Sequence, residues 1–139
     1  QYVADHLHLG PRELAELRAD FWRGDRLDKE LTDFVVRQRP RCRTAILSNA
    51  WTDSRRCFEK YEELTTTFET WIISSEEGIA KPAPEIYMRT LRRLGVQAEE
   101  TAFVDDSAEN VVAARRLGIA AIEFRNTAQT LRDLKEVLL

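Results

Sequence analysis

From residue 44 onward the chain alternates between short apolar runs and stretches of helical period, four times over. "TAIL" (44–47) precedes a helix-like segment from about Ser54 to Leu64, with Asp53 or Ser54 as its cap. "TWIIS" (70–74) precedes "APEIYMRTLRRLG", which opens on a proline and closes on Gly95. "TAFVDD" (101–106) precedes "AENVVAARRLG", closing on Gly118. "IAAIEF" (119–124) precedes an amphipathic stretch from Thr127 to Leu138 carrying Leu131, Leu134 and Leu138. Strand–helix alternation of this kind is the signature of βαβ units. The expected fold is therefore α/β, a doubly wound parallel sheet with helices on both faces.

Upstream the pattern is helical. Pro11 and Glu13 suit a first turn, Leu14, Leu17 and Phe21 follow at helical spacing, and Gly24 and Asp25 break the run. A second amphipathic stretch with Leu27, Leu31, Phe34 and Val35 on one side ends at Pro40. The 139 residues suffice for one ordinary domain, and 43% hydrophobic with 32% charged residues is a globular balance. No apolar run approaches the ~20 residues needed to cross a bilayer, so no membrane partner is expected. The net charge is −3 and arginine is spread along the chain, which does not indicate a nucleic-acid surface. Cys42 and Cys57 lack metal-site spacing and read as reduced thiols of a cytoplasmic protein.

In open α/β sheets the ligand binds outside the carboxyl ends of the strands. Ser48 and Asn49 follow the first strand, and Lys81 lies in the loop after the second, between Gly78 and the prolines 82 and 84. Asp105 and Asp106 end the third strand. Each has a plainer reading alone: a turn or cap for Ser48–Asn49, a solvated loop lysine, a helix cap for Asp106. A cap needs one carboxylate, not two. Adjacent acids are hard oxygen ligands suited to Mg2+, which keeps several waters and takes one or two carboxylates. An ammonium with a hydroxyl–amide pair can hold phosphoryl oxygens while a metal neutralises their charge.

The stretches "ILSNAW", "EEGIAKPAPEIY" and "FVDDSAENVVAARRLGI" resemble, in order, the second, third and fourth motifs of the haloacid dehalogenase-like (HAD) hydrolase superfamily. The resemblance runs from about Phe21 to the C-terminus and is closest to the phosphatase-like branch with a small helical cap, which includes the N-terminal phosphatase domain of soluble epoxide hydrolases. It implies a Rossmann-type core over residues 26–139 and the rear of a helical cap over 1–25. It further implies that Ser48, aided by Asn49, hydrogen-bonds the transferred phosphoryl group. Lys81 would bind that phosphate and the attacked carboxylate. Asp106 would ligate Mg2+ directly, Asp105 would support the metal, and Asn110 would steady Lys81. Trp22 and Trp51 are candidates for the cap-side entrance, with ordinary packing as the alternative.

One part of the family pattern is missing. The nucleophile is an aspartate in a D-x-D motif ending the central strand, and no D-x-D occurs here; Asp5, Asp20, Asp25, Asp28, Asp33, Asp53 and Asp133 lie in helical or turn patterns. The chain opens on Gln1 and its only methionine is Met88, so the natural polypeptide is expected to continue upstream and supply that strand. The 139 residues alone are expected to be inactive. A core without its middle strand exposes two backbone edges, and dimerisation or strand exchange is expected if it is stable alone. Three functions compete: a Mg2+-dependent phosphatase of a small phosphorylated metabolite acting through an aspartyl-phosphate, a 2-haloacid dehalogenase, and a non-catalytic binding or assembly module. The paired acids speak against the second, whose chemistry needs no metal.

Overall fold

The computed structural model describes residues 27–139. The cap expected over 1–25, with Trp22, lies outside the described residues. Helix α1 (Lys29–Gln38) starts at Asp28, whose carboxylate accepts the Leu31 amide at 3.0 Å. Then follow β1 (Ala45–Ser48), α2 (Ser54–Phe58), α3 (Glu62–Thr67), β2 (Thr70–Ile73), a one-turn helix α4 (Ser74–Glu77) and α5 (Pro84–Leu94). After a 3₁₀ turn at Ala98–Glu100 come β3 (Ala102–Asp105), α6 (Ala108–Arg116), β4 (Ala120–Glu123) and α7 (Thr127–Leu138). Among the described residues no helix is long and apolar enough to cross a membrane. Both cysteines are free.

The four strands fall where the apolar runs predict them and the pairing is parallel throughout. β1 pairs with β2, Ala45 opposite Thr70 through Ser48 opposite Ile73; β3 pairs with β4, Ala102 opposite Ala120 through Asp105 opposite Glu123. Among the described residues no ladder joins the two pairs. What they share is a core. Ile72 of β2, Ala121 of β4, Ile86 and Tyr87 of α5 and Val111 and Ala114 of α6 form one buried cluster, with Leu47 and Phe103 packed against it from β1 and β3. A second cluster covers the opposite face of β3–β4: Phe34 of α1 meets Ile122, Leu131 and Leu134, with Ala102 and Val104 alongside. Phe103 faces one layer, and Ala102 and Val104 the other, because successive strand side chains alternate sides. The result is helices on both faces, the doubly wound arrangement.

Two local details depart from the sequence reading. The helix expected over 54–64 is two short ones, broken at Tyr61, whose backbone is extended (φ −97°, ψ 100°). Its continuation runs into Thr65–Thr67, β-branched residues that favour a helix weakly, and Thr65 and Thr66 turn their hydroxyls back onto the Glu62 carbonyl at 2.9 and 3.0 Å. At the far end of α3 the Thr67 carbonyl accepts the Thr44 hydroxyl at 2.6 Å, and the Thr66 carbonyl accepts Arg39. Asp53 occupies the cap position of α2 without a side-chain bond to its amides.

Candidate active site

The three strand ends meet at Lys81. Its loop leaves β2 through α4, which terminates on Gly78 at φ 70°, a left-handed conformation that glycine adopts without a Cβ penalty. From there the lysine side chain turns inward. Its ammonium donates to the Leu47 carbonyl at 2.9 Å and to the Asp105 carboxylate at 2.5 Å, so one cation joins the end of β1 to the end of β3. Both side chains are buried, 9% and 5% exposed. The ammonium also lies 5.6 Å from the centre of the Phe103 ring, and Tyr87 meets that ring edge-on at 5.6 Å.

Asp105 is held from every side. One carboxylate oxygen accepts the Ser107 amide at 2.8 Å, and the Asn110 amide reaches its two oxygens at 3.2 and 3.3 Å. Burial alone would raise its pKa. The Lys81 ammonium, the Ser107 amide and Asn110 outweigh that and hold the carboxyl below its ordinary range. Asn110 is fixed in turn, since its main-chain carbonyl accepts the Tyr87 hydroxyl at 3.0 Å. Burial, with the nearby Asp105 and Glu109 charges, pushes that hydroxyl up to about 12, so it stays a donor at neutral pH.

The predicted site residues divide into four groups. Lys81, Asp105 and Asn110 form one hydrogen-bonded chain, in which Asn110 steadies Lys81 through the Asp105 carboxylate rather than by direct contact. Ser48 ends β1, directly after the Leu47 carbonyl that Lys81 binds. Asp106 joins only by its place next to Asp105: it is exposed, and among the described residues its carboxylate has no hydrogen-bond or ion-pair partner. It does not cap α6, whose cap position belongs to Ser107. Asn49 faces the Lys81 main chain. Its side-chain carbonyl accepts the Lys81 amide at 2.8 Å and its side-chain N–H donates to the Lys81 carbonyl at 2.8 Å. Trp51 is half-buried in the loop after β1.

Among the described residues no group of three or more histidine, cysteine, aspartate or glutamate side chains gathers as a metal site. What the site offers a cation is the Asp106 carboxylate and strand-end oxygens. That donor set fits Mg2+, which retains most of its water, and does not fit a metal that needs a full protein cage. The sequence reading missed Phe103 and Tyr87. Both sit at ordinary core positions of a strand and a helix, and nothing in their spacing distinguishes a ring beneath a lysine from a ring in a core.

Comparison with known proteins shows the family. The family model described as haloacid dehalogenase-like hydrolase matches residues 3–118, and the chain belongs to that family. Bifunctional epoxide hydrolase 2 of Rattus norvegicus is 36% identical over 98 residues, 68% of this chain and 18% of the rat enzyme. D-ribitol-5-phosphate phosphatase of Bacteroides thetaiotaomicron is 26% identical over 125 residues, 84% of this chain and 61% of that enzyme. The chain thus spans less than a fifth of the rat relative and about three fifths of the bacterial one. Among solved structures, a HAD family enzyme of Bacteroides thetaiotaomicron in complex with magnesium and inorganic phosphate superposes with a TM-score of 0.64 at 28% identity, over 71% of this chain and 54% of that one.

Proposed function

We propose that this chain carries most of the active site of a Mg2+-dependent phosphatase acting on a small phosphorylated metabolite. One observation carries the reading: the buried Lys81 ammonium spans the Leu47 carbonyl and the Asp105 carboxylate, with the Asp106 carboxylate, unpartnered among the described residues, next in sequence. In this reading the Ser48 hydroxyl and the Lys81 ammonium take the non-bridging oxygens of the phosphoryl group. Asp105 keeps the Lys81 side chain aimed, and Asp106 holds the cation. When bound, Mg2+ supplies positive charge against the phosphoryl oxygens and helps orient them. The nucleophilic carboxylate, which the family pattern puts on a D-x-D strand, is not among residues 1–139, so activity is proposed for a polypeptide that supplies it. The magnesium and phosphate complex of the Bacteroides enzyme and the phosphatase among the relatives support the reading.

The test is hydrolysis of p-nitrophenyl phosphate by the full-length protein, with Mg2+ and after chelation. Turnover that disappears with EDTA, returns with Mg2+ and falls by about 10²-fold or more in Asp106→Ala is expected. Metal-independent release of halide from a 2-haloacid, with no phosphatase activity, would overturn it.

A further inference from the structure

The segments that follow β1 and β2 are tied to one another by polar contacts. Innermost, the Asn49 side chain and the Lys81 main chain exchange two hydrogen bonds of 2.8 Å, as two residues of neighbouring strands would. Next, the Ser74 hydroxyl accepts the Ala50 amide at 3.0 Å and donates to the Ala50 carbonyl at 3.3 Å. Outermost, the Arg55 guanidinium grips both Glu76 oxygens at 2.7 Å and lies 5.8 Å from the Trp71 ring centre. The last pair is about one third exposed on each side and is worth little by itself. The Asn49 pair differs, because it grips the peptide units on either side of the lysine Cα.

We propose that Asn49 is a positioning residue: it locks the Lys81 main chain to the loop after β1, so that the Ser48 hydroxyl and the Lys81 ammonium are carried as one rigid unit. The amide has one acceptor oxygen and two N–H groups, and the lysine backbone takes the oxygen and one N–H. In this proposal Asn49 acts through Lys81; its remaining N–H is what a direct phosphate contact would use, and the second measurement below separates the two. The inference rests on the phosphatase reading for its catalytic consequence, but the clamp itself is a property of the fold and is measurable without any activity.

Two measurements on the full-length protein test it. The first is hydrogen exchange at the Lys81 amide, whose acceptor is the Asn49 side chain. Asn49→Ala should speed that exchange by about tenfold or more, while Asn49→Asp, which keeps the acceptor, should retain the protection. Unchanged exchange in Asn49→Ala overturns the clamp whether or not the enzyme turns over. The second is a double-mutant cycle read as competitive inhibition by inorganic phosphate. Asn49→Ala should weaken phosphate binding about tenfold with Lys81 present and by less than about twofold in a Lys81→Ala background. Equal losses in both backgrounds would make Asn49 a direct phosphate ligand and overturn the proposal. Absence of phosphatase activity in every form would sink the functional reading and leave the exchange result to decide on the clamp.

Discussion

β4 is lined with buried apolar side chains on both faces, Ala121 towards α5 and α6 and Ile122 towards α1 and α7, whereas no residue of β1 is fully buried. The flanking helices differ in the same sense: α6 and α7 run for 9 and 12 residues, α2 and α3 for 5 and 6. Apolar packing therefore fixes the half that ends in Asp105 and Asp106. β1 itself, whose partner strand β2 is packed through the fully buried Ile72 and Ile73, adds directional polar contacts at its ends: Asn49 to Lys81, Ser74 to Ala50, and the Thr44 amide to Glu69 at 3.0 Å. Packing resists displacement in all directions, while hydrogen bonds fix position only as long as their geometry holds. The candidate site lies across these two kinds of support, and Lys81 is the strut between them.

Removing the strut should have the largest effect. In the full-length protein Lys81→Ala leaves the Asp105 carboxylate buried without its cation, which should cost about 3–5 kcal/mol in a urea titration. The same variant should lower phosphatase turnover by about 10²–10³-fold. The contrast between halves comes next. Ile122→Ala should cost about 2–5 kcal/mol, and Ile46→Ala, on half-buried β1, about half as much. Equal losses would erase the distinction. Smallest is the response to acid. Because the folded Asp105 carboxyl titrates below its unfolded value, its contribution to stability is complete above the ordinary carboxylate pKa of about 3.9 and is lost as pH falls through the lowered value. Between about pH 4 and pH 2 the wild-type melting temperature should therefore fall more steeply than that of Asp105→Asn.

Much of this was legible in the residues. The four apolar runs became four parallel strands, Pro84 opened α5, and Gly95, at φ 67°, closed it. Residue types at strand ends also told where polar chemistry would gather, because strand ends in such folds are exposed and apolar residues are not needed there. What could not be read was who pairs with whom. Asp105 and Asp106 are the same side chain one position apart. Strand alternation turns one inward to Lys81 and leaves the other in solvent, and that choice depends on a lysine 24 positions away. The sequence likewise does not show that the Lys81 backbone passes within reach of the Asn49 amide. The carbonyls at the end of the second short helix, of Thr66 and Thr67, find partners in Arg39 and Thr44, which lie outside the segment.

The ring beneath Lys81 has a consequence for anion capture. An ammonium that is 9% exposed and set against Phe103 has surrendered most of its hydration shell on folding. In the proposed phosphatase reading, an arriving phosphoryl oxygen would meet a cation with little water left to strip, and its competitor for that charge would be the carboxylate of Asp105. Selectivity at such a position is a contest between two counter-ions over one partially dehydrated charge, and the outcome is written into how tightly Ser107 and Asn110 hold the loser.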